Sequence, residues 1–131
     1  MPRGPLPDDL ATWFAEPRPA VVATLRADGA PVTSATWYDL VDGRVLLTMH
    51  DAGPRHRNLL RDPHLSLTAL GTDWYRQVTV SARAVEFRPD PDRADVDALS
   101  KRYLGEPYRD HSYVPVTVLA AIEGWHAFGF E

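Results

Sequence analysis

The sequence predicts a mainly β protein with short helices: a small, mostly antiparallel barrel of six strands, two short intervening helices and one helix at the start. Three observations carry this reading. Asp28-Gly29 and Asp42-Gly43 separate β-rich runs, and Asp-Gly is the strongest short hairpin signal because both central residues of a tight turn can take positive φ. The run from Tyr75 to Phe87 alternates, with Val78, Val80, Ala82 and Ala84 on one face and Gln77, Thr79, Ser81 and Arg83 on the other, which is the period of a half-buried strand. Between Leu46 and Leu67, LLTMHDAGPRHRNLLRDPHLSL reads as a strand, a turn at Asp51-Ala52-Gly53, a short helix and a second strand.

In chain order, Asp8-Asp9 ahead of Leu10, Trp13 and Phe14 predicts a capped amphipathic helix that must end near Glu16, since Pro17 and Pro19 follow. Three β-rich runs between Ala20 and His50, turning at the two Asp-Gly pairs, predict a three-stranded meander. The next helix opens on Pro54, whose missing N–H costs nothing at the first helical position, and closes at Asp62-Pro63, where proline pushes Asp62 out of the α region. A strand from Leu65 to Leu70 and a turn at Gly71-Thr72-Asp73 lead into the long strand, which Arg88-Pro89-Asp90-Pro91 breaks. Asp92 to Leu104 is helical in pattern, with Val96, Leu99 and Tyr103 at spacings of three and four and Gly105 as its stop. The polar loop GEPYRDHSY, a last strand from Val114 to Ile122 and an aromatic tail from Gly124 to Phe130 complete the chain. One domain is expected over residues 1–131, with 1–19 as helix and lead-in, 20–125 as barrel and 126–131 as tail.

Composition narrows the function. Hydrophobic residues are 44% and charged residues 24% of the chain, as in an ordinary globular protein. No apolar run approaches the roughly 18 residues of a membrane span, and MPRGPLPDD has no signal-peptide apolar core, so no membrane association and a cytoplasmic location are expected. Cysteine is absent, which removes disulfides, thiol nucleophiles and thiolate metal sites together. The net charge of −4 argues against a general nucleic-acid binder. Of the 14 basic residues only Lys101 is lysine.

Positive charge is instead concentrated. Arg55, Arg57 and Arg61, with His56 and His64 beside them, fall on the short connection that begins at Pro54. Guanidiniums gathered at the exposed N–H groups of a helix start suit a phosphate. The alternative is a solvated face paired with Asp51 and Asp62, although Arg57 and Arg61 at i, i+4 repel by about 0.2–0.5 kcal/mol unless an anion lies between them. The five histidines, His50, His56, His64, His111 and His126, show no HExxH or other tight ligand spacing, so no metal site is expected. Ser34 and Ser81 lie in no G-x-S-x-G elbow, and no GxGxxG exists for a Rossmann nucleotide site. No catalytic residue is assignable.

The patterns ATLRADGAPVTSATWY, LLTMHDAGPRHRNLLRDPHLSL and the long strand after Trp74 together resemble the flavin and deazaflavin oxidoreductases related to pyridoxamine 5'-phosphate oxidase. Within them the chain looks most like the branch that uses the deazaflavin coenzyme F-420, chiefly through Arg57-Asn58-Leu59 followed by Arg61-Asp62-Pro63 and Ser66. The resemblance implies an FMN-binding-type split β-barrel homodimer, with two cofactor clefts at the interface lined by both protomers. It implies that the segment of Gly53, Pro54, Arg55 and Arg57 holds the cofactor phosphate, with Arg55 where many relatives carry lysine, and the family-like position of Asn58 in the same cofactor-binding segment suggests a helix-anchoring amide. It places Ser34, Thr36 and Trp37 on the second strand, with Ala35 between them, and Thr48 and Met49 on the third as contacts to the ring. Arg76 and Gln77 are implied to reach the neighbouring protomer's cofactor, and Trp125 matches a C-terminal tryptophan of the branch.

The function this implies is F-420-dependent reduction of a small conjugated or aromatic substrate. Hydride chemistry needs no acid–base constellation in the protein, which only binds, orients and excludes water. FMN in the same cleft, making an oxidase or flavin reductase, is the alternative. A dimeric module that holds haem, a tetrapyrrole or a flavin without turnover is the third reading.

Overall fold

A computed structural model describes residues 2–130. Helix α1 (Asp8–Phe14) leads into strands β1 (Ala20–Leu25), β2 (Pro31–Thr36), β3 (Asp39–Val41) and β4 (Arg44–His50). Helix α2 (Pro54–Arg61), strands β5 (His64–Leu70) and β6 (Gln77–Pro89), helix α3 (Ala94–Leu104) and strand β7 (Pro115–Phe128) follow. All strand pairs are antiparallel, in the order β2-β1-β5-β6-β7-β4-β3. The sheet is open, because no ladder joins β2 to β3.

The strand count is seven rather than the expected six, and the first runs do not form a meander. The second β-rich run splits at Trp37-Tyr38. Tyr38 is fully buried, and its hydroxyl donates to the Phe14 carbonyl at 2.7 Å, which pulls the chain out of the ladder there. β2 therefore stays beside β1, while β3 and β4 turn away so that β4 pairs with β7 along its whole length. The two Asp-Gly turns differ as well. Asp42 and Gly43 both have positive φ, 52° and 76°, in a two-residue hairpin that joins Val41 to Arg44. At the first turn only Gly29 is positive, and a wider loop closes with the Arg26 N–H donating to the Ala30 carbonyl.

The aromatic tail is strand, not tail. β7 runs to Phe128 because the long β6 offers partners that far, Val80 opposite Trp125 and Gln77 opposite Phe128. Two irregularities, between Ser81 and Ala82 and between Ala84 and Glu86, bend the β6–β7 ribbon. β6 itself continues through Arg88 and Pro89, past the expected break. At α1 the expected aspartate cap is absent: Pro7 holds the cap position and Asp8 is already helical.

The core fills the interior of the curved sheet. Val78, Val80, Ala82 and Ala84 are buried from β6, as the alternation requires, and meet Val22, Leu47, Leu67 and Val118 from neighbouring strands. Leu10 and Phe14 of α1 and Leu59 of α2 join the same core. Each fully buried aliphatic of this kind contributes roughly 1.5–3 kcal/mol by leaving water. α3 lies outside, where Leu99 packs with Leu46, Leu119 and Trp37. Buried Asp90 caps it, its carboxylate accepting from the N–H groups of Asp95 (3.0 Å) and Val96 (3.1 Å). The helix consequently starts at Ala94, two residues after the expected Asp92.

Candidate cofactor and substrate cleft

α2 spans Pro54–Arg61, as Pro at its start and Asp-Pro at its end require. Gly53 caps it with extended backbone, and no side chain occupies the cap. A Cβ on Gly53 would stand 3.1 Å from the Cβ of His50, so glycine allows β4 to pass directly into the helix. Buried Asn58 anchors the helix to the sheet, its Nδ2 donating to the hydroxyl of buried Thr24 on β1 at 3.2 Å. The amide is thus an internal tether.

From this helix Arg55 spans the split in the sheet. Its Nη2 donates to the Ser34 hydroxyl at 2.6 Å and its Nη1 to the Thr36 hydroxyl at 3.3 Å. Ser34 and Thr36 are two residues apart on β2 and therefore face the same way. Burial pulls the guanidinium pKa below its ordinary value. Among the described residues no carboxylate forms an ion pair with Arg55. A partly desolvated cation held by neutral hydroxyls beside uncapped helix N–H groups suits an anion.

The other two arginines do not share that position. Exposed Arg57 turns back to the Ala52 carbonyl, and exposed Arg61 approaches the Leu25 carbonyl at 3.4 Å and Asn58 Oδ1 at 3.4 Å. Asp51 and Asp62, the carboxylates the solvated-face reading paired with these arginines, instead lie against His50 (3.1 Å) and His64 (2.8 Å).

Two compartments meet at Thr48 and Tyr113. The smaller, about 390 Å³, is the basic end; Ser34, Met49, Gly53, Pro54, Arg55 and Asn58 line it, together with His50. The larger, about 950 Å³, is walled by Trp37, Tyr103 and Tyr108 and opens past Val21 and Trp74. Trp37 stacks on Tyr103 (centroids 5.5 Å apart) and meets Tyr108 edge-on at 5.8 Å. Among the described residues no charged side chain lines this compartment. Tyr113 stacks on His50 at 4.4 Å. Burial first, and then the neighbouring Tyr108 phenol, push the Tyr113 phenol up to about 12. Burial raises Tyr103 as well.

Of the residues expected at a cofactor, Ser34, Thr36, Trp37, Thr48, Met49, Gly53, Pro54, Arg55 and Asn58 all border these two compartments. Arg57 does not, and neither do Arg76, Gln77 and Trp125. Arg76 lies near Phe130, with its guanidinium carbon 5.6 Å from the ring centroid, Gln77 Nε2 donates to the Trp74 carbonyl at 3.4 Å, and Trp125 packs against the main core. The three tyrosines are functional candidates that the sequence reading missed. Tyr103 was visible there only as a helix-face residue, and Tyr108 and Tyr113 only as aromatic spots in an unmatched loop. Among the described residues no three His, Asp or Glu side chains gather in a metal-binding group. Among the same residues, no helix is long and apolar enough to cross a membrane.

Comparisons place the fold among known ones. The pyridoxamine 5'-phosphate oxidase family model matches residues 6–124. An F-420 reductase structure superimposes with a TM-score of 0.82 at 24% identity, over 92% of this chain and 98% of that one. A conserved hypothetical protein of Mycobacterium tuberculosis gives 0.75 at 24% identity, covering 94% and 84% of the two chains. A haem-binding protein of Mycobacterium smegmatis gives 0.60 at 28% identity, over 86% of this chain and 49% of that one. No curated protein matches the chain by sequence. With a family match across nearly all its length, and a seven-stranded antiparallel sheet that leaves a cleft at its split, the chain belongs to the pyridoxamine 5'-phosphate oxidase family.

Proposed function

We propose that this protein is a cytoplasmic, homodimeric F-420-dependent oxidoreductase that reduces a small conjugated or aromatic molecule. The observation that carries the reading is Arg55: a half-buried guanidinium, tied among the described residues only to Ser34 and Thr36, at the start of an uncapped helix and at the narrow end of a two-part cleft. A phosphate there would accept the fork of Arg55 and the first N–H groups of α2. Thr48 and Met49 on β4 and Thr36 and Trp37 at the end of β2 would flank the ring. Gly53 lets the backbone approach, and Asn58 holds the helix in place. Arg57 would keep the turn at Ala52 ordered rather than touch the phosphate. Arg76, Gln77 and Trp125, which do not line this chain's own compartments, would serve the neighbouring protomer's cleft. When bound, the reduced deazaflavin supplies a hydride; the protein's part is to hold both reactants in register and keep water out.

FMN presents the same phosphate to the same grip. The family model, and a similar structure described as a putative pyridoxamine 5'-phosphate oxidase of Lactobacillus delbrueckii (TM-score 0.67, 18% identity), favour it as the second reading. The F-420 reductase likeness and the run from Arg57 to Ser66 favour the deazaflavin. Non-catalytic haem or tetrapyrrole binding draws on the haem-binding neighbour, but no histidine lines the large compartment. Titration of the purified chain with F-420 and with FMN decides between the first two. Binding of F-420 in the micromolar range or tighter is expected; tight FMN binding with none of F-420 overturns the reading. A Soret band on adding haem, lost on replacing one histidine, would establish the third.

A further inference from the structure

The basic end of the cleft holds an imidazole whose tautomer is decided by the backbone. His50 closes β4, borders the small compartment together with Ser34, Gly53, Pro54 and Arg55, and is half exposed. Its Nδ1 accepts the Ala52 N–H at 3.0 Å. A backbone N–H can only donate, so the neutral ring has a lone pair on Nδ1 and carries its proton on Nε2. Turning the ring over would set a carbon before the Ala52 N–H and remove that group's only partner among the described residues. Nδ1 also stands 3.1 Å from Asp51 Oδ1. That carboxylate is the acceptor for a proton added at Nδ1, so charging the ring leaves the Nε2 proton where it is. Nε2 is therefore a donor in both states of the ring, and among the described residues no acceptor engages it.

The plane of the ring is fixed as well. It lies on the Tyr113 ring, 16° from parallel with centroids 4.4 Å apart. The loop that carries Tyr113 is held from α3: the Tyr108 N–H donates to the Asp97 carboxylate at 3.0 Å, and Arg93 donates to the carbonyls of Asp110 (2.6 Å) and Tyr113 (3.5 Å). The Asp51 N–H reaches the Val114 carbonyl at 3.2 Å and ties the turn after β4 to the same loop. That turn is closed by the Gly53 N–H on the His50 carbonyl (3.0 Å), by His56 on the Asp51 carbonyl (2.7 Å) and by Arg57 on the Ala52 carbonyl. A donor set in plane and tautomer beforehand gives up little freedom when it engages a ligand. The compartment, about 390 Å³, has the size of a site for one small ligand group, so His50 and Arg55 face the same occupant.

We propose that His50 is a further ligand-binding residue of the basic end, its Nε2–H donating a hydrogen bond to an oxygen of the phosphate held by Arg55. The assignment deepens the oxidoreductase reading and rests on it only for calling that phosphate a cofactor's. Arg55 brings the charge, while the imidazole brings a donor that persists whether or not the ring is charged.

The test separates the two ring nitrogens. In His50→Asn the side-chain oxygen stands where Nδ1 does and can still accept the Ala52 N–H, but nothing replaces Nε2. In His50→Gln the amide nitrogen reaches the place of Nε2, and the acceptor for Ala52 is lost. Inorganic phosphate and F-420 are titrated into the full-length chain and both variants, and Tm is recorded for each. His50→Asn should lose about tenfold in affinity for both ligands, the lower end for a hydrogen bond to a charged group, with Tm unchanged. His50→Gln should recover most of that loss even where its Tm falls. Nitrogen NMR of the ring-labelled chain, with His50 identified by the signal missing from His50→Asn, should show Nε2 as the protonated nitrogen of the neutral ring. Its resonance should shift on adding phosphate. A proton on Nδ1 of the neutral ring, no loss in His50→Asn, or a loss in His50→Gln as large as in His50→Asn overturns the proposal. So does failure of the wild type to bind phosphate at all. Phosphate binding with the expected pattern but no F-420 binding removes the cofactor reading and leaves the His50 assignment standing, so the two failures are distinct.

Discussion

At the scale of single residues the proposed cofactor site turns on one cation, Arg55. Arg55→Ala should weaken F-420 binding about 10- to 100-fold, the range for a charge-assisted hydrogen bond lost from a partly buried site. Arg55→Lys should fall between, because a point donor cannot reach Ser34 and Thr36 together as the fork does. Arg57→Ala should cost less than about fivefold, since its guanidinium is exposed and bonded to the Ala52 carbonyl. Equilibrium titration of the three variants checks the order. Alkaline titration tests the phenols. Burial raises Tyr38, Tyr103 and Tyr113, the last to about 12. Between about pH 10, the model-peptide value for tyrosine, and about 12 the unfolded chain then binds fewer protons than the folded one. Stability should therefore be level below pH 10 and fall above it, with phenolate absorbance at these sites appearing only as the protein unfolds. Tyr113→Phe should soften that fall. Arg55 was legible in the sequence as a cation at a helix start, because that signal is local. Its hydrogen-bond partners were not, since they lie 19 and 21 residues away and meet it only through the fold.

At the scale of elements, local signals fared best. α2 was readable to its last residue because glycine, proline and Asp-Pro act within a turn of where they stand. The second run misled because nothing in the alternation of PVTSATWYDLV marks Tyr38 for burial against α1, where its hydroxyl finds the Phe14 carbonyl. The end of β7 misled for a related reason: an aromatic stretch after a glycine reads as a tail until the length of β6 opposite it is known. Two tethers fix the elements that shape the cleft. Asn58→Ala should destabilise the protein by roughly 1–3 kcal/mol, since it leaves the buried Thr24 hydroxyl without its partner. Asp90→Ala should cost about 1–2 kcal/mol by uncapping α3. Denaturant melts check both, and the Asp90 variant should also loosen the Tyr108–Tyr113 loop that hangs from that helix.

The whole molecule shows what the sheet order exposes. Sheet order itself was not legible, because the pairing of β1 with β5 and of β4 with β7 joins segments far apart in sequence that no period encodes. The surface it leaves carries large exposed aromatics that an interface would cover: Trp74 is 71% exposed, Tyr75 58% and Phe128 53%. We expect light scattering to give about twice the 14.6 kDa of the single chain, and a monomer at micromolar concentration would break the shared-cleft arrangement. β2 adds a consequence for handling the protein. It is an outer strand exposed on both faces, five of its six residues open to solvent, and Pro-Val-Thr-Ser-Ala-Thr carries no charge to repel a stray strand. Only the opening proline blunts it. An edge left this open should surface as turbidity and poor recovery at high protein concentration during purification. Charge placed at Thr33 should restore recovery where it fails.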